Sequence, residues 1–419
     1  MRSPPPSVDA VLDITAGRAA GAVTQPVRPR LRHTDPEMRR VRLGLFAAAF
    51  ATFALLYAPQ PLLPQIATTF RVSPAAASLA ISAATFSVAI AVIPMSSLSE
   101  VLGRRRIMTV SALAASVLGL AATMAPSLPA LIAIRVLQGL ALAGVPAVAM
   151  AYLTEEVERG SLGRAMGLYI AGNSIGGLSG RIVAGALVDH GGWRVALAGV
   201  GGLSVTCAVV FALVLPPSAY FTPASPRVRA LLGTLRQNVA DTRLLRLYLI
   251  GFTLAGSLVT VYNYLTFRLS GPPFRLSATV IGLLFVSYLA GTYSSAAAGR
   301  SVERFGRYRV LSCGVLVTAV GVLITLSGSL GLIVAGLLAL TGGFFAGHSV
   351  ASTWVGGLVR VAPAQAAALY TCSFYIGSSV AGSVGGLFYG HGGWPMTVAF
   401  VLVLLTVALA SATSIRRTA

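Results

Sequence analysis

The chain has 419 residues, of which 56% are hydrophobic and only 10% are charged. Soluble domains carry roughly a quarter charged residues, so this composition excludes a water-soluble surface. The net charge of +20 comes from arginines in polar breaks without a contiguous basic face, which indicates a topology signal and excludes a nucleic-acid surface. Cys207, Cys313 and Cys372 lie singly in apolar runs, so no disulfide framework or metal site is expected.

Residues 1–42 are rich in Pro and Arg and lack the hydrophobic core of a signal peptide, so we expect a disordered cytoplasmic tail. Twelve apolar runs of about 20 residues follow, the length that crosses about 30 Å of hydrocarbon. Such long runs without alternation predict helices, because only helices and closed barrels satisfy the backbone in lipid. We number these runs spans one to twelve: 43–65, 77–98, 107–126, 129–152, 164–188, 194–215, 244–268, 278–299, 308–328, 331–357, 364–389 and 394–413.

A long polar break at 216–243 separates span six from span seven and is the predicted cytoplasmic linker between bundles at 43–215 and 244–413. A short cytoplasmic tail at 414–419 ends the chain. With the N-terminus inside, 25 of the 31 arginines fall on the cytoplasmic side. Only four fall outside: Arg71, Arg194, Arg268 and Arg275. This asymmetry predicts that both termini are cytoplasmic.

Three sequence blocks occur twice. Residues 169–193 recur at 370–394 with an offset of 201, 70–73 recur at 274–277, and 100–106 recur at 303–309. Each repeat holds six spans, so both halves have the same orientation, which is typical of transporters with a substrate path between the halves. The fold class predicted is an all-α membrane protein with two pseudo-symmetric six-helix bundles.

The loop after span two has a turn glycine and a run of arginines that hold it in the cytoplasm. Glu100 would favour the positive N-terminus of span eleven near Pro363. Glutamates 155, 156 and 158, at the inner end of span four, are in range of the loop arginines. We expect a cytoplasmic gate built mainly from the first repeat, the alternative being solvated charges that only set topology. Its residues are Glu100, Gly103, Arg104, Arg105, Glu155 and Glu156, with Glu303, Gly306 and Arg307 in the second copy.

This loop, from Ser96 to Arg106, resembles the signature loop of the major facilitator superfamily. Arg135 and Gln138 on span four resemble its RxxQG motif. Residues 172–181 resemble the antiporter motif GxxxGPxxGG, with Gly177 for the proline and Arg181 for the final glycine. The likeness covers all twelve spans and is most similar to bacterial drug and sugar efflux permeases. The resemblance implies the major facilitator fold and a part for Arg135 in proton coupling.

Arg135 and Arg181 are charges within spans, where each costs several kcal/mol unless it meets a partner or a wet cavity. They lie about 9 and about 10 Å from the outer ends of spans four and five. No Asp or Glu falls inside a span, so carbonyls, water or an anionic substrate group must compensate them. For Arg135 the alternative is a structural tie to carbonyls of spans one and five. We expect Arg181 to face the path between the halves.

His348 is the only histidine within a span and is a natural proton acceptor there, or else a hydrogen-bonded core residue. Polar and aromatic residues of spans one, five, seven and eleven could shape a mixed-polarity site or simply pack: Tyr57, Gln60, Asn173, Tyr262, Asn263 and Tyr375. Small residues on span five, Gly172, Gly176, Gly180 and Gly185, predict close helix packing. If these stripes also serve function, spans five and eight, or eleven and two, would slide or rock along them as rigid bodies.

Motifs of catalysis are missing from the chain: it has no P-loop, HExxH, GxSxG or Cys/His cluster, so we expect no enzyme, cofactor or metal. The prediction is a monomeric proton-coupled efflux antiporter of the cell inner membrane. Its partners would be a small organic substrate, protons and lipid, without nucleic acid. The alternatives are an uptake symporter or uniporter, and a non-transporting sensor or scaffold.

Overall fold

A computed structural model of the chain describes residues 30–223, 228–359 and 363–418. These residues are helical apart from short connections and one isolated bridge between Leu31 and Val157. The α-helices are α1 (Pro36–Tyr57), α2 (Leu63–Phe70), α3 (Pro74–Leu102), α4 (Arg104–Ala121), α5 (Leu128–Leu142), α6 (Gly144–Glu156), α7 (Arg159–Val214), α8 (Val228–Ala240), α9 (Thr242–Ser270), α10 (Ala278–Leu283), α11 (Tyr288–Phe305), α12 (Arg307–Ile324), α13 (Leu330–Leu358) and α14 (Pro363–Thr418).

Several spans are made of more than one helix. Span one is α1 and α2 joined by a 3₁₀ turn at Gln60–Leu62, because Pro59 and Pro61 lack the N–H groups that would continue α1. Span four is α5 and α6. Span eight is α10 and α11 joined by a 3₁₀ segment at Leu284–Ser287. Spans two, three, seven, nine and ten are the single helices α3, α4, α9, α12 and α13.

The 56-residue helices α7 and α14 each hold two spans. Helical geometry breaks at Gly192, with φ 75°, and at Gly393, with φ 60°, a region that favours glycine. His190 and His391, just before the breaks, place Nδ1 2.9 and 2.7 Å from the carbonyl four residues earlier. The repeated HisGlyGlyTrp is therefore a turn that joins spans five and six, and eleven and twelve. Within the described residues, ten apolar helical segments are long enough to cross a membrane, and these two breaks make twelve spans, as predicted.

Each half has its own apolar core. Tyr152, Phe211 and Ile66 are fully buried in the first half, and Tyr264 and Phe344 in the second. The outer surface is apolar as well: Leu213, Val403 and Val117 are 73%, 61% and 60% exposed. Large exposed apolar side chains on long helices are the expected surface of a protein in hydrocarbon.

The beginning of α1, the end of α14 and the linker between the halves lie at one end of the bundle, which we name the terminal side; the opposite end is the far side. The backbone of Leu31 exchanges hydrogen bonds of 2.9 and 3.0 Å with Glu156 and Glu158. From the linker, the Tyr220 N–H donates to the Glu156 carboxylate at 3.1 Å. In the second half, Arg246 donates to the Ser414 carbonyl.

The segments predicted to flank the two bundles are partly helical. Residues 1–29 of the predicted tail lie outside the described residues, but 30–42 are folded: α1 begins at Pro36, whose fixed φ suits a first helical position. The predicted linker at 216–243 contains the helix Val228–Ala240, with 224–227 outside the described residues. The predicted C-terminal tail at 414–419 continues α14 as far as Thr418.

Candidate functional site

Contacts between the two halves lie on the far side and in the middle of the bundle. The Ser379 hydroxyl donates to the Ser82 carbonyl at 2.7 Å, and the Cys372 thiol donates to the Ala89 carbonyl, both between spans two and eleven. Among the described residues, every hydrogen bond between the halves lies at the level of Ala89 or closer to the far side. The halves are thus closed against each other on the far side.

Close backbone contact between spans one and five positions the residues at the centre of the interface between the two halves. A Cβ added at Gly176 would clash with the Phe50 carbonyl oxygen, and one at Gly180 would lie 2.6 Å from Ala54. Gly172 meets Phe46 in the same way. The stripe therefore packs span five on span one, inside one half. Gly185 instead contacts Gly282 of span eight, across the halves.

Arg181 projects from this stripe into the interface and is 2% exposed. Its Nε donates to Gln60 Oε1 at 2.7 Å, and one terminal nitrogen donates to the Gly177 carbonyl at 2.7 Å. The other terminal nitrogen lies 3.5 Å from the Tyr288 hydroxyl. The guanidinium carbon is 4.3 Å from the Tyr57 ring centroid, 4.9 Å from Phe285 and 4.8 Å from Tyr288. Such ring faces attract a cation.

Gln60 extends this network across the interface. Its Nε2 donates to Asn263 Oδ1 at 2.7 Å, and both side chains are fully buried. We name the chain Arg181–Gln60–Asn263 the clasp, since it joins spans five, one and seven. In the described part of the chain no carboxylate pairs with Arg181. The clasp is thus a buried positive charge held by amides, one carbonyl and aromatic rings.

The remaining aromatic and amide candidates lie around the clasp. The Tyr262 hydroxyl is 2.5 Å from Ser287 Oγ and 2.7 Å from Thr341 Oγ1, and its ring stacks on Phe285. Tyr375 of span eleven is buried among the apolar residues of the first half. Asn173 lies two turns from Arg181 toward the terminal side, and its Oδ1 is buried.

Arg135 has different surroundings. It is 2% exposed and donates to the carbonyls of Ala80 at 2.6 Å, Leu55 at 3.1 Å and Leu56 at 2.7 Å, and to Gln138 Oε1 at 2.5 Å. Gln138 in turn donates to the Ala115 carbonyl. The carbonyl cage is formed by spans one and two, whereas the sequence suggested spans one and five. Arg135 therefore ties spans four, one, two and three together and presents no free face.

His348 lies in the second half, between aromatic rings. Its Nδ1 is 3.0 Å from the Tyr370 hydroxyl, and its ring stacks on Phe344 at 5.6 Å between centroids. Phe374 is 4.9 Å away. A row of ring contacts from Phe344 through Phe345 to Tyr288 connects His348 to the surroundings of Arg181.

The gate motif on the terminal side is partly paired. Arg104 forms an ion pair with Glu155 at 2.9 Å, inside the first half. Arg105 donates to the Ala212 carbonyl, and Glu156 accepts from the linker instead of pairing with a loop arginine. Gly103 and Gly306 both have positive φ, 97° and 81°, so the two copies form the same turn.

The predicted contact of Glu100 with the start of span eleven stays a prediction; among the described residues Glu100 has no hydrogen bond or ion pair. Residues 360–362, just before span eleven, lie outside the described residues. In the second copy, Arg307 approaches Gly357, where an added Cβ would lie 3.1 Å from a guanidinium nitrogen. Glu303 has no ion pair with a described residue.

Sequence reasoning missed three contributors to this interface. Phe285 and Tyr288 belong to span eight, whose sequence pattern does not show which face meets span five. Asp189 accepts from the Thr279 hydroxyl at 2.6 Å and from the backbone N–H groups of Ala278 and Thr279 at 3.3 and 3.0 Å. We name this contact the far-side latch. The one available signal was that Asp189 aligns with a glycine, Gly390, in the second repeat.

Known relatives match most of the chain. It is 43% identical over 379 residues to the uncharacterized MFS-type transporter YybF of Bacillus subtilis, covering 90% of this chain and 94% of the relative. It is 42% identical over 396 residues to the inner membrane transport protein YnfM of Escherichia coli, covering 94% and 95%. Both alignments cover nearly the whole length of the relative.

Solved structures agree on the fold. The inward-facing, unoccupied structure of a bacterial homologue of the human lysosomal transporter Spinster superposes with a TM-score of 0.77 at 19% identity, covering 92% of this chain and 98% of that one. A point mutant of the nucleoside transporter NupG gives 0.73 at 16% identity, covering 90% and 99%. The family model of the Major Facilitator Superfamily matches residues 45–272 and 269–418. The chain therefore belongs to the major facilitator superfamily and is a multi-pass membrane transporter.

Proposed function

We propose that the chain exports a small organic compound from the cytoplasm in exchange for protons, by alternating access between the two halves. The observation that carries this proposal is the clasp, a buried cation whose partners come from both halves. A group that touches both halves experiences any movement between them. Binding at the clasp can therefore shift the balance between two states.

Orientation follows from the arginine distribution, which favours the terminal side as cytoplasmic. With that orientation, the far-side contacts close the path between the halves on the external side. A cytoplasmic substrate would then approach the clasp from the terminal side, past Asn173. The glycine-rich segment before Arg181, which resembles the antiporter motif, supports exchange.

His348 is the proposed proton acceptor. Neutral imidazole gains a proton near physiological pH, and the described spans contain no carboxylate in their apolar middle. The ring row from His348 to Tyr288 offers a physical connection to the clasp, through which a change at one site can displace the other. Arg135, with its donors on carbonyls, is proposed to support the helices around the path rather than to carry a proton.

The proposal is tested in everted membrane vesicles that contain the chain at high level. A respiration-driven pH gradient is recorded with acridine orange, and arabinose, ethidium and benzoate are added as representatives of sugars, cations and acids. An exported compound is expected to dissipate the gradient, and nigericin, which collapses it, is expected to abolish accumulation of that compound.

Other outcomes identify the alternatives. Accumulation that persists after nigericin would indicate a uniporter, and proton movement in the same direction as the solute would indicate a symporter. No flux of any compound by folded protein would favour a sensor or scaffold. The variant His348→Gln tests the proton acceptor. Its glutamine can form hydrogen bonds but cannot gain a proton, so this variant should lose proton exchange.

A further inference from the structure

The repeat relates the surroundings of Arg181 to a second place at the interface. Arg181 aligns with Gly382, since the block repeats with an offset of 201. A Cβ added at Gly382 would meet Val259 at 3.1 Å, Asn263 Nδ2 at 3.6 Å and Ser82 Oγ at 3.7 Å. The second repeat has no side chain where the first places a guanidinium, and Val259, Asn263 and Ser82 enclose this position, which we name the niche.

Two buried polar atoms border this niche without protein partners. They are Asn263 Nδ2, on a fully buried side chain, and Ser82 Oγ, on a side chain that is 2% exposed. A buried polar group without a partner is costly, so such atoms indicate a place for water or a ligand group. Both atoms can donate a hydrogen bond, which suits an oxygen acceptor.

At the other end of the clasp, Arg181 uses only part of its donor capacity. A guanidinium has five N–H groups, and the described contacts use three, one of them long at 3.5 Å. Arg135, by comparison, uses four on short contacts. Of the two buried arginines, Arg181 is therefore the one with donors left for an anion.

We infer that the substrate is a small organic acid, whose carboxylate displaces the Gln60 amide from Arg181 and takes hydrogen bonds from Arg181 and, once the Gln60–Asn263 hydrogen bond is broken, from Asn263 Nδ2. Gln60 occupies the place of that carboxylate in the empty protein: its Oε1 accepts from Arg181, as a carboxylate oxygen would, and a bidentate charge-assisted contact is stronger. Displacement also breaks the Gln60–Asn263 hydrogen bond between the halves. The acid then takes over from Gln60 the connection between Arg181 of one half and Asn263 of the other.

This inference rests on the proposed transport function but is tested by binding alone. Purified protein in detergent is titrated with benzoate, hexanoate and lactate, each beside its primary amide, with the melting temperature as readout and calorimetry for affinity. At least one acid is expected to bind while its amide does not. Arg181→Gln should weaken that binding at least about tenfold, with Arg181→Lys intermediate because it keeps the charge but not the fork.

The decisive variant is Gln60→Ala. Because Gln60 competes with the carboxylate, its removal is expected to tighten acid binding several-fold, whereas a merely structural glutamine would weaken it. Gln65→Ala, on the same span but outside the clasp, is the matched control and should leave affinity unchanged. Size-exclusion profiles verify that each variant is folded.

Three results would overturn the inference: equal binding of acids and amides, no binding by any acid, or weaker acid binding in Gln60→Ala. The outcome is separable from that of the transport proposal, because the detergent sample holds no proton gradient. Acid binding without proton exchange would leave this inference standing. Proton exchange of a sugar or cation without acid binding would leave only the transport proposal.

Discussion

The guanidinium of Arg135 donates a hydrogen bond to a backbone carbonyl of span one that a proline leaves without its usual helical donor. The Leu55 carbonyl would normally accept from the N–H four residues later, but that residue is Pro59, which has none. Arg135 donates to this carbonyl and to the Leu56 carbonyl beside it. The charge in the span is therefore compensated by backbone oxygens that themselves need a donor.

Arg135→Gln should consequently destabilise the protein strongly. The shorter amide cannot reach both span one and span two, and leaving buried carbonyls without donors costs about 1–3 kcal/mol each. We expect a melting temperature lower by roughly 5 °C or more. Arg159→Gln, an exposed arginine at the start of α7, is the control and should change little. An unaltered melting temperature together with lost proton movement would contradict the structural role and favour the coupling role that the resemblance implies.

At His348 the expected effect is on pH dependence. If its protonation drives exchange, the export rate of wild type should change with pH through the range where imidazole titrates, and His348→Gln should flatten that profile. Tyr370→Phe, which removes the hydroxyl near Nδ1, should shift the profile without flattening it. Rates are measured in proteoliposomes at fixed gradient and varied pH. An identical profile in His348→Gln would remove this residue from the proton path.

At the scale of the helix, the same close approach occurs in both halves. A Cβ at Gly377 would clash with the Phe252 carbonyl oxygen, just as one at Gly176 would clash with that of Phe50. Spans one and five, and seven and eleven, thus make backbone contact at equivalent places. The glycine stripe holds each half together, and the movement between halves must occur at other contacts.

Gly176→Ala should therefore destabilise the protein, because neither backbone can yield without moving a whole span. Gly167→Ala on the same helix is a matched control: nothing lies within 4 Å of its Cβ position. In an exposed helical position this change is expected to stabilise by about 0.5–1 kcal/mol. Thermal unfolding should show opposite shifts for the two variants. A similar shift in both would mean that spans one and five are not in contact.

Part of this arrangement could be predicted from sequence. Apolar length fixes the spans, the repeat fixes their parallel halves, and glycine spacing indicates a close contact on span five. The partner of that contact could not be predicted, because a stripe of small residues suits any neighbouring backbone. Span eight illustrates the limit: Phe285 and Tyr288 reach Arg181 from a 3₁₀ segment and from the helix residue that follows it, and this change in helical rotation leaves no periodic signal in the sequence.

For the whole molecule, the question is what holds the far side closed. The halves meet there through the clasp, through Gly185 against Gly282, and through the far-side latch. On the terminal side, the Arg104–Glu155 ion pair stays within one half, so it does not oppose separation of the halves. The described contacts between the halves therefore favour closure of the far side.

The latch should contribute to this balance in a measurable way. Asp189 is a carboxylate beside the first N–H groups of span eight, where negative charge is favourable by about 0.3–1 kcal/mol, and its three hydrogen bonds join the halves. Asp189→Ala should therefore shift the population toward separation of the far side, without a large loss of stability, because Asp189 is exposed.

The shift is measured as a distance distribution between spin labels on opposite halves, at Met124→Cys and Ser329→Cys, with the three native cysteines replaced by serine. Both positions are exposed on far-side loops. Asp189→Ala should lengthen the mean distance or add a longer component, and Glu303→Ala, an acidic residue of the opposite side, should not. An unchanged distribution in Asp189→Ala would show that the clasp and the glycine contact close the far side without the latch.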